Sequence, residues 1–163
     1  MTRAASFPPV VAPDARLLIL GSLPGQVSLA RRQYYAHPQN QFWRLIGTVI
    51  DHDLAALPYD ARIAALAAAG IGLWDVIGSA ARTGSLDSSI RNPEANDLPV
   101  LVSALPDLAA IAFNGAAAYK LGTRRLGETS LPLVALPSTS PAYAAMPLAT
   151  KRAAWLTLQR FLA

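Results

Sequence analysis

The sequence predicts an α/β fold, a three-layer α/β/α sandwich around a short, mostly four-stranded parallel sheet. Short apolar runs rich in Leu, Ile, Val and Ala alternate with longer helix-like segments from residue 16 to the end. The runs are continuous rather than alternating, the pattern of strands covered on both faces. The chain has 163 residues and is 53% hydrophobic, which suits one domain with a substantial core.

Each element follows from its residues. Val10 and Val11 read as buried extended chain, and residues 16–22 are the first clear strand, ended by Gly21. Residues 41–50 read as a helix opening on Phe42 and Trp43, and residues 59–69 as an Ala-, Leu- and Ile-rich helix stopped by Gly70. Residues 72–77 are a short apolar strand. Asn96 and Asp97 can cap a helix running to about Leu105. Residues 108–113 are the third strand, 115–121 start a helix, 131–136 are the fourth strand and 149–162 the last helix. Segments 22–40 and 78–95 read as long loops, the kind that carries function. Residues 1–9, with two prolines and no apolar signal core, read as a flexible lead-in to the single domain 1–163, and the cytoplasm is the expected location.

Composition narrows the chemistry. There is no cysteine, so disulfides, thiolate chemistry and cysteine-held iron–sulfur clusters are excluded. The two histidines, His37 and His52, show no metal-site spacing, and no cofactor is expected. The net charge is +4, unevenly spread: +4 over residues 1–50, −5 over 51–114 and +5 over 115–163. Basic ends around an acidic middle fit an anion-facing surface, or simply scattered solvated arginines. Twelve of the fourteen basic residues are Arg, which favours forked phosphate contacts.

The first strand leads into Gly21-Ser22-Leu23-Pro24-Gly25 and then Gln33-Tyr34-Tyr35-Ala36-His37-Pro38-Gln39-Asn40-Gln41-Phe42-Trp43. A strand end of an α/β sheet is where ligand sites form. Two tyrosines offer flat surfaces and Asn40 offers a donor and an acceptor, a kit for a planar heterocycle. The glycines lack the following Lys-Ser/Thr of a phosphate-binding loop, and no G-x-G-x-x-G is present. In extended chain Tyr34 and Tyr35 point opposite ways, so one of them is expected to face a site. His37 suits catalysis or a backbone hydrogen bond. Asn40 suits a water-orienting role or a helix cap. Asn114, after the third strand, can read a base edge or cap the next helix. Ser138, Thr139 and Ser140 can grip phosphates or form a turn. Asp75 and Asp87 could activate water or stabilise a cation, but pairing with Arg82 or Arg91 is the favoured expectation.

Residues 34–43 resemble the first motif of the uracil-DNA glycosylase superfamily, closest to the hypoxanthine-DNA glycosylase (DNA-deoxyinosine glycosylase) branch. Further matching motifs are Leu73-Trp74-Asp75-Val76, Gly84 to Ile90, Phe113-Asn114-Gly115 and Pro137 to Ala142, in family order. The resemblance implies strand order 2-1-3-4. It implies removal of deaminated bases from double-stranded DNA, hypoxanthine first, by a monomer with no membrane, metal or cluster. The base must leave the duplex to be reached. Tyr35 matches the residue that stacks on it, with Tyr34 as packing. Backbone groups at Ser22 and Leu23, with Asn114, would contact the base edge. Asn40 matches the amide that orients water toward the sugar, supported by His37 or Asp75. Ser138, Thr139 and Ser140 would hold phosphates, and Tyr143 or Met146 would fill the gap in the duplex. Leu23 stands where mismatch-specific uracil enzymes have Asn and cannot polarise water. The only lysines, Lys120 and Lys151, lie outside the motif loops, which disfavours Schiff-base lyase chemistry. Two other readings stay open: a non-catalytic DNA-binding module, and a hydrolase of free nucleosides or nucleotides.

Overall fold

A computed structural model describes residues 3–162 of the chain. Its elements are β1 (Arg3–Ala5), β2 (Leu17–Gly21), α1 (Gln26–Arg31), α2 (Phe42–Val49), α3 (Tyr59–Ala68), β3 (Ile71–Asp75), β4 (Ile77–Ala81), β5 (Arg91–Ala95), α4 (Leu98–Ser103), β6 (Ala110–Asn114), α5 (Ala116–Leu126), β7 (Leu133–Leu136) and α6 (Leu148–Leu156). A 3₁₀ segment, Thr157–Phe161, continues α6.

The main sheet is parallel throughout, in the order β3-β2-β6-β7. Numbered within that sheet, this is the expected 2-1-3-4. Strand β2 is buried along its whole length because neighbours pair on both edges and helices cover both faces. Its side chains alternate accordingly. Leu17 and Ile19 pack with Phe42, Trp43, Ile46, Leu66 and Trp155 under α2, α3 and α6. Leu18 and Leu20 pack with Leu98, Leu105, Phe113 and Ala118 under α4 and α5. These are the three expected layers.

The helix boundaries have local causes. Gly70 takes φ +81 after α3, and its carbonyl accepts from the Arg16 and Leu17 N–H groups at the start of β2. Asp97 Oδ1 accepts from the Val100 N–H at 3.2 Å and caps α4. Val10 contributes a single antiparallel bridge to Leu73 rather than a strand.

Segments 22–40 and 78–95 are not bare loops. The first holds α1. The second contributes β4 and β5 to an antiparallel sheet of order β1-β4-β5. Within residues 1–9, read as flexible, Arg3–Ala5 pair with Ser79–Ala81; residues 1 and 2 lie outside the described residues. Strand β3 feeds this sheet directly. The Val76 and Ile77 N–H groups donate to the Gly21 and Ser22 carbonyls, and the chain then turns into β4. The expected strand over 72–77 is thus the end of one sheet and the start of another. No helix among the described residues is long and apolar enough to cross a membrane.

Candidate active site

The carboxyl ends of β2, β3, β6 and β7 open into one cavity of about 600 Å³. This is the edge of an α/β sheet where ligands bind, because the strands stop and their loops diverge. Gly21, Tyr35, Asn40, Asp75, Asn114 and Ser138 all line it.

Gly21 and Asp75 are direct neighbours across the β2–β3 pairing. A Cβ on Gly21 would lie 2.7 Å from Asp75 Oδ1 and 3.2 Å from the Tyr35 hydroxyl. Glycine here makes room for a carboxyl group and a phenol at the cavity floor. Asp75 is buried, and its Oδ2 has no hydrogen-bond partner. Burial, with Asp87 nearby, pushes its carboxyl up to about 8, against the opposing pull of Arg82. Burial therefore favours the neutral acid near neutral pH. The expected pairing with Arg82 or Arg91 does not form. Arg82 is buried and donates to the Pro24 carbonyl, while Arg91 donates to the Ser88 and Ile90 carbonyls. Asp87 instead accepts from the Ser22 hydroxyl at 2.6 Å.

Both tyrosines face the cavity. The expected divergence fails because Tyr35 adopts φ 53 in a turn, which breaks the extended alternation. The Tyr35 ring stacks on Phe42 at 3.9 Å and 20°. Tyr34 packs edge-on against Phe7 at 5.1 Å. Its carbonyl accepts from Trp43 Nε1 and its N–H donates to the Tyr59 hydroxyl. Both hydroxyls are buried; that of Tyr34 has no partner among the described residues, that of Tyr35 lies beside the Asn114 side chain, and burial pushes both phenols up. An unpaired buried hydroxyl costs about 1–3 kcal/mol. Tyr34→Phe should therefore raise the melting temperature by about 2–4 °C per kcal/mol recovered; a scanning-calorimetry melt at or below wild type would count against the hydroxyl being unpaired.

Asn40 fills the helix-starting one of its two expected roles. Its Oδ1 accepts from the Phe42 N–H at 2.9 Å, so the side chain starts α2 through an Asx turn, one residue ahead of the cap position Gln41. Its Nδ2 has no partner among the described residues, and Oδ1 keeps a second lone pair. The amide can still address a molecule in the cavity. His37 lines the cavity, and its Nδ1 accepts from the Gln39 N–H at 3.1 Å, which leaves the other ring nitrogen without a protein partner among the described residues.

Asn114 and Thr139 clamp each other. Asn114 Nδ2 donates to Thr139 Oγ1 at 2.9 Å, and the Thr139 N–H donates to Asn114 Oδ1 at 3.0 Å. Thr139 is buried, and its carbonyl accepts from the Gln41 N–H, so it braces the β6 and β7 loops against the Asn40 loop. Ser138 and Ser140 accept from the Ser140 and Ala142 N–H groups. Their hydroxyl protons stay free to donate. Leu23 is buried against Ile77 and Ala80 and also lines the cavity. Tyr143 is exposed at the rim and Met146 is half-buried.

The profile of the Uracil DNA glycosylase superfamily matches residues 8–159. The chain belongs to the uracil DNA glycosylase superfamily. It is similar to a protein named hypoxanthine DNA glycosylase from Methanosarcina barkeri, 46% identical over 109 residues, covering 67% of this chain and 69% of the relative. It is also similar to one of the same name from Methanosarcina acetivorans, 42% identical over 139 residues, covering 83% and 85%. The fold matches the solution NMR structure of a candidate uracil DNA glycosylase from Methanosarcina acetivorans at TM-score 0.86 and 36% identity, over 99% of both chains.

Within this superfamily member, sequence reasoning missed two supports of the site. Lys151 is buried, and its Nζ donates to Gln41 Oε1 at 3.0 Å and to the Tyr143 carbonyl at 2.8 Å. It ties the rim to the Asn40 loop from α6, far away in sequence. Arg82 sits behind the Gly21–Gly25 loop with Nε and Nη1 unpartnered. Neither residue carries a local pattern that marks it; only the folded chain brings it against the loops that line the cavity. Among the described residues no group of His, Cys, Asp or Glu is arranged to hold a metal ion.

Proposed function

We propose that the protein is a monofunctional DNA glycosylase acting in base excision repair. It hydrolyses the N-glycosidic bond of deaminated bases in double-stranded DNA, hypoxanthine first and uracil or xanthine second. The observation that carries this reading is that Tyr35 and Asn40 line a single cavity at the sheet edge. The cavity, about 600 Å³, falls in the range of small-molecule sites and admits one extruded base. One face of the Tyr35 ring lies on Phe42, and the other is the shelf for the base. Backbone groups at Ser22 and Leu23, with Asn114, meet the base edge. Asn40 directs water at the sugar carbon, and His37 supports it. Ser138 and Ser140 donate to the flanking phosphates while Thr139 braces them. Tyr143 enters the gap left in the stack. The names of the two Methanosarcina relatives support hypoxanthine as the first substrate.

Hydrolysis rather than lyase chemistry fits the lysines. Lys151 Nζ is engaged by two oxygens and Lys120 is exposed on α5. Duplexes carrying inosine, uracil, xanthine or no lesion, treated with protein and then alkali, test the proposal. Breaks at inosine are expected, with no borohydride-trapped adduct. Breaks at uracil alone would move the protein to another branch. Salt-sensitive binding without base release would make it a binding module, and release from free inosine alone a nucleosidase.

A further inference from the structure

Residues lining the cavity carry two buried polar atoms without a partner among the described residues, Asp75 Oδ2 and the Tyr34 hydroxyl, with the Tyr35 hydroxyl beside the Asn114 side chain. Buried polar atoms are almost always paired, so orphans on residues lining one cavity point to a ligand that pairs them. The fold invests in this arrangement. Gly21 leaves the space that Asp75 Oδ1 and the Tyr35 hydroxyl occupy, and β2–β3 pairing fixes Asp75 beside it.

We infer that Asp75, acting as a neutral carboxylic acid, donates a hydrogen bond from Oδ2 to the carbonyl oxygen that deamination puts on the base. The inference rests on the glycosylase reading above. Deamination turns an exocyclic amino group, a donor, into a carbonyl, an acceptor. A protonated acid suits the product, and an ionised carboxylate would repel it. The surroundings hold the acid neutral. Desolvation is the largest cause, and Asp87, whose carboxylate also accepts from Ser22, adds to it. Arg82 opposes, but it is itself buried and directed to the Pro24 carbonyl. The other titratable groups facing Asp75 are Tyr34 and Tyr35, both held neutral by burial. A carboxylic acid kept protonated in an apolar site is an established way to place a strong donor at neutral pH.

The same contact assists the reaction. The bond from the sugar carbon to the base nitrogen breaks, and its electron pair stays with the base and spreads onto the carbonyl oxygen. Water adds to the sugar carbon and gives one proton to solvent; a solvent proton neutralises the departed base. A fixed donor at the carbonyl stabilises the charge as it develops. Asp75 therefore touches the leaving group and acts chiefly on turnover.

The test is the pH profile of single-turnover inosine release from duplex, for the wild type, Asp75→Asn and Asp75→Ala. The wild-type rate should be level near pH 6–7 and fall as the carboxyl ionises around 8, by up to tenfold per pH unit. Asp75→Asn keeps a donor that cannot ionise, so it should keep activity within about tenfold and lose that limb. Asp75→Ala should lose on the order of 10²-fold, since one such donor is worth about that in turnover. Ionisation of inosine itself appears equally in every profile and cancels in the comparison. An identical alkaline limb in the wild type and Asp75→Asn would overturn the inference while leaving the glycosylase reading intact. Wild-type protein that releases no base would overturn both. The wild-type limb is read without any substitution, so a misfolded variant does not remove the test.

Discussion

Asn40→Ala is expected to lower the rate of inosine release by about 10²- to 10³-fold while leaving binding to lesion-containing duplex within a few-fold. The amide sits at the cavity with Nδ2 unpartnered, and Oδ1 retains a lone pair beyond the one accepting from Phe42. A water held there is aligned before reaction, which is where such a residue lowers the barrier. The substitution also removes the Asx turn at the start of α2, worth about 1 kcal/mol as a cap. Activity alone therefore cannot separate the two roles. Asn40→Ser does: serine can still accept from the Phe42 N–H, so stability should stay near wild type while turnover falls as far as in the alanine variant. Single-turnover kinetics with calorimetry on both variants check this. Wild-type turnover in Asn40→Ala removes the residue from the chemistry. Recovery of turnover in Asn40→Ser assigns the whole effect to helix initiation.

The parallel sheet was legible because its physics is local. Leu17 to Leu20 and Ala110 to Phe113 are continuous apolar runs, as strands covered on both faces must be, and helical segments separate them. The second sheet had no such signal. Strand β4 reads Ile-Gly-Ser-Ala-Ala, and β5 reads Arg-Asn-Pro-Glu-Ala and is exposed throughout. Proline in β5 argues against a strand except at an edge, which is where it lies. This sheet's contacts are long-range: β1 pairs with β4, and Arg3 donates to Ser79 and the Asn92 carbonyl and pairs with Glu94 at 3.5 Å. Sequence patterning does not register contacts between residue 3 and residue 94.

The site divides the same way. Tyr35 and Asn40 share one loop and one motif, so their joint presence at the cavity could be expected. The geometry of Tyr35 could not, because its positive φ comes from the turn and not from a glycine. By sequence Asp75 reads as half of an ion pair, because acids near arginines usually are. Its surroundings follow from a strand register that sets it against a residue without a side chain and buries it, while nearby Arg82 is directed to the Pro24 carbonyl. Lys151 joins the site from α6 through Gln41 and Tyr143, a link that exists only once α6 packs beside α2.

Gly21→Ala should show how tightly that floor is built. The added methyl would stand 2.7 Å from Asp75 Oδ1, closer than carbon and oxygen approach, and 3.2 Å from the Tyr35 hydroxyl. A short buried acid facing a glycine across the β2–β3 pairing has little room to swing, so either the carboxyl turns out of the cavity or β2 and β3 shift apart. Overpacking of this kind costs about 1–3 kcal/mol. Base release should fall at least as far as in Asp75→Ala, because the methyl displaces both the acid and the stacking tyrosine. Combining Gly21→Ala with Asp75→Ala separates the two consequences. The double variant loses the carboxyl that the methyl strikes, so its stability should exceed the sum of the single changes by about 0.5–3 kcal/mol, the range for residues in contact. Its activity should not recover, since the donor is gone. Denaturant melts of the four proteins, with inosine release measured on each, give both numbers. Strictly additive stabilities would mean the methyl is absorbed without touching Asp75, and the close approach at the cavity floor would no longer explain why the first strand ends on glycine.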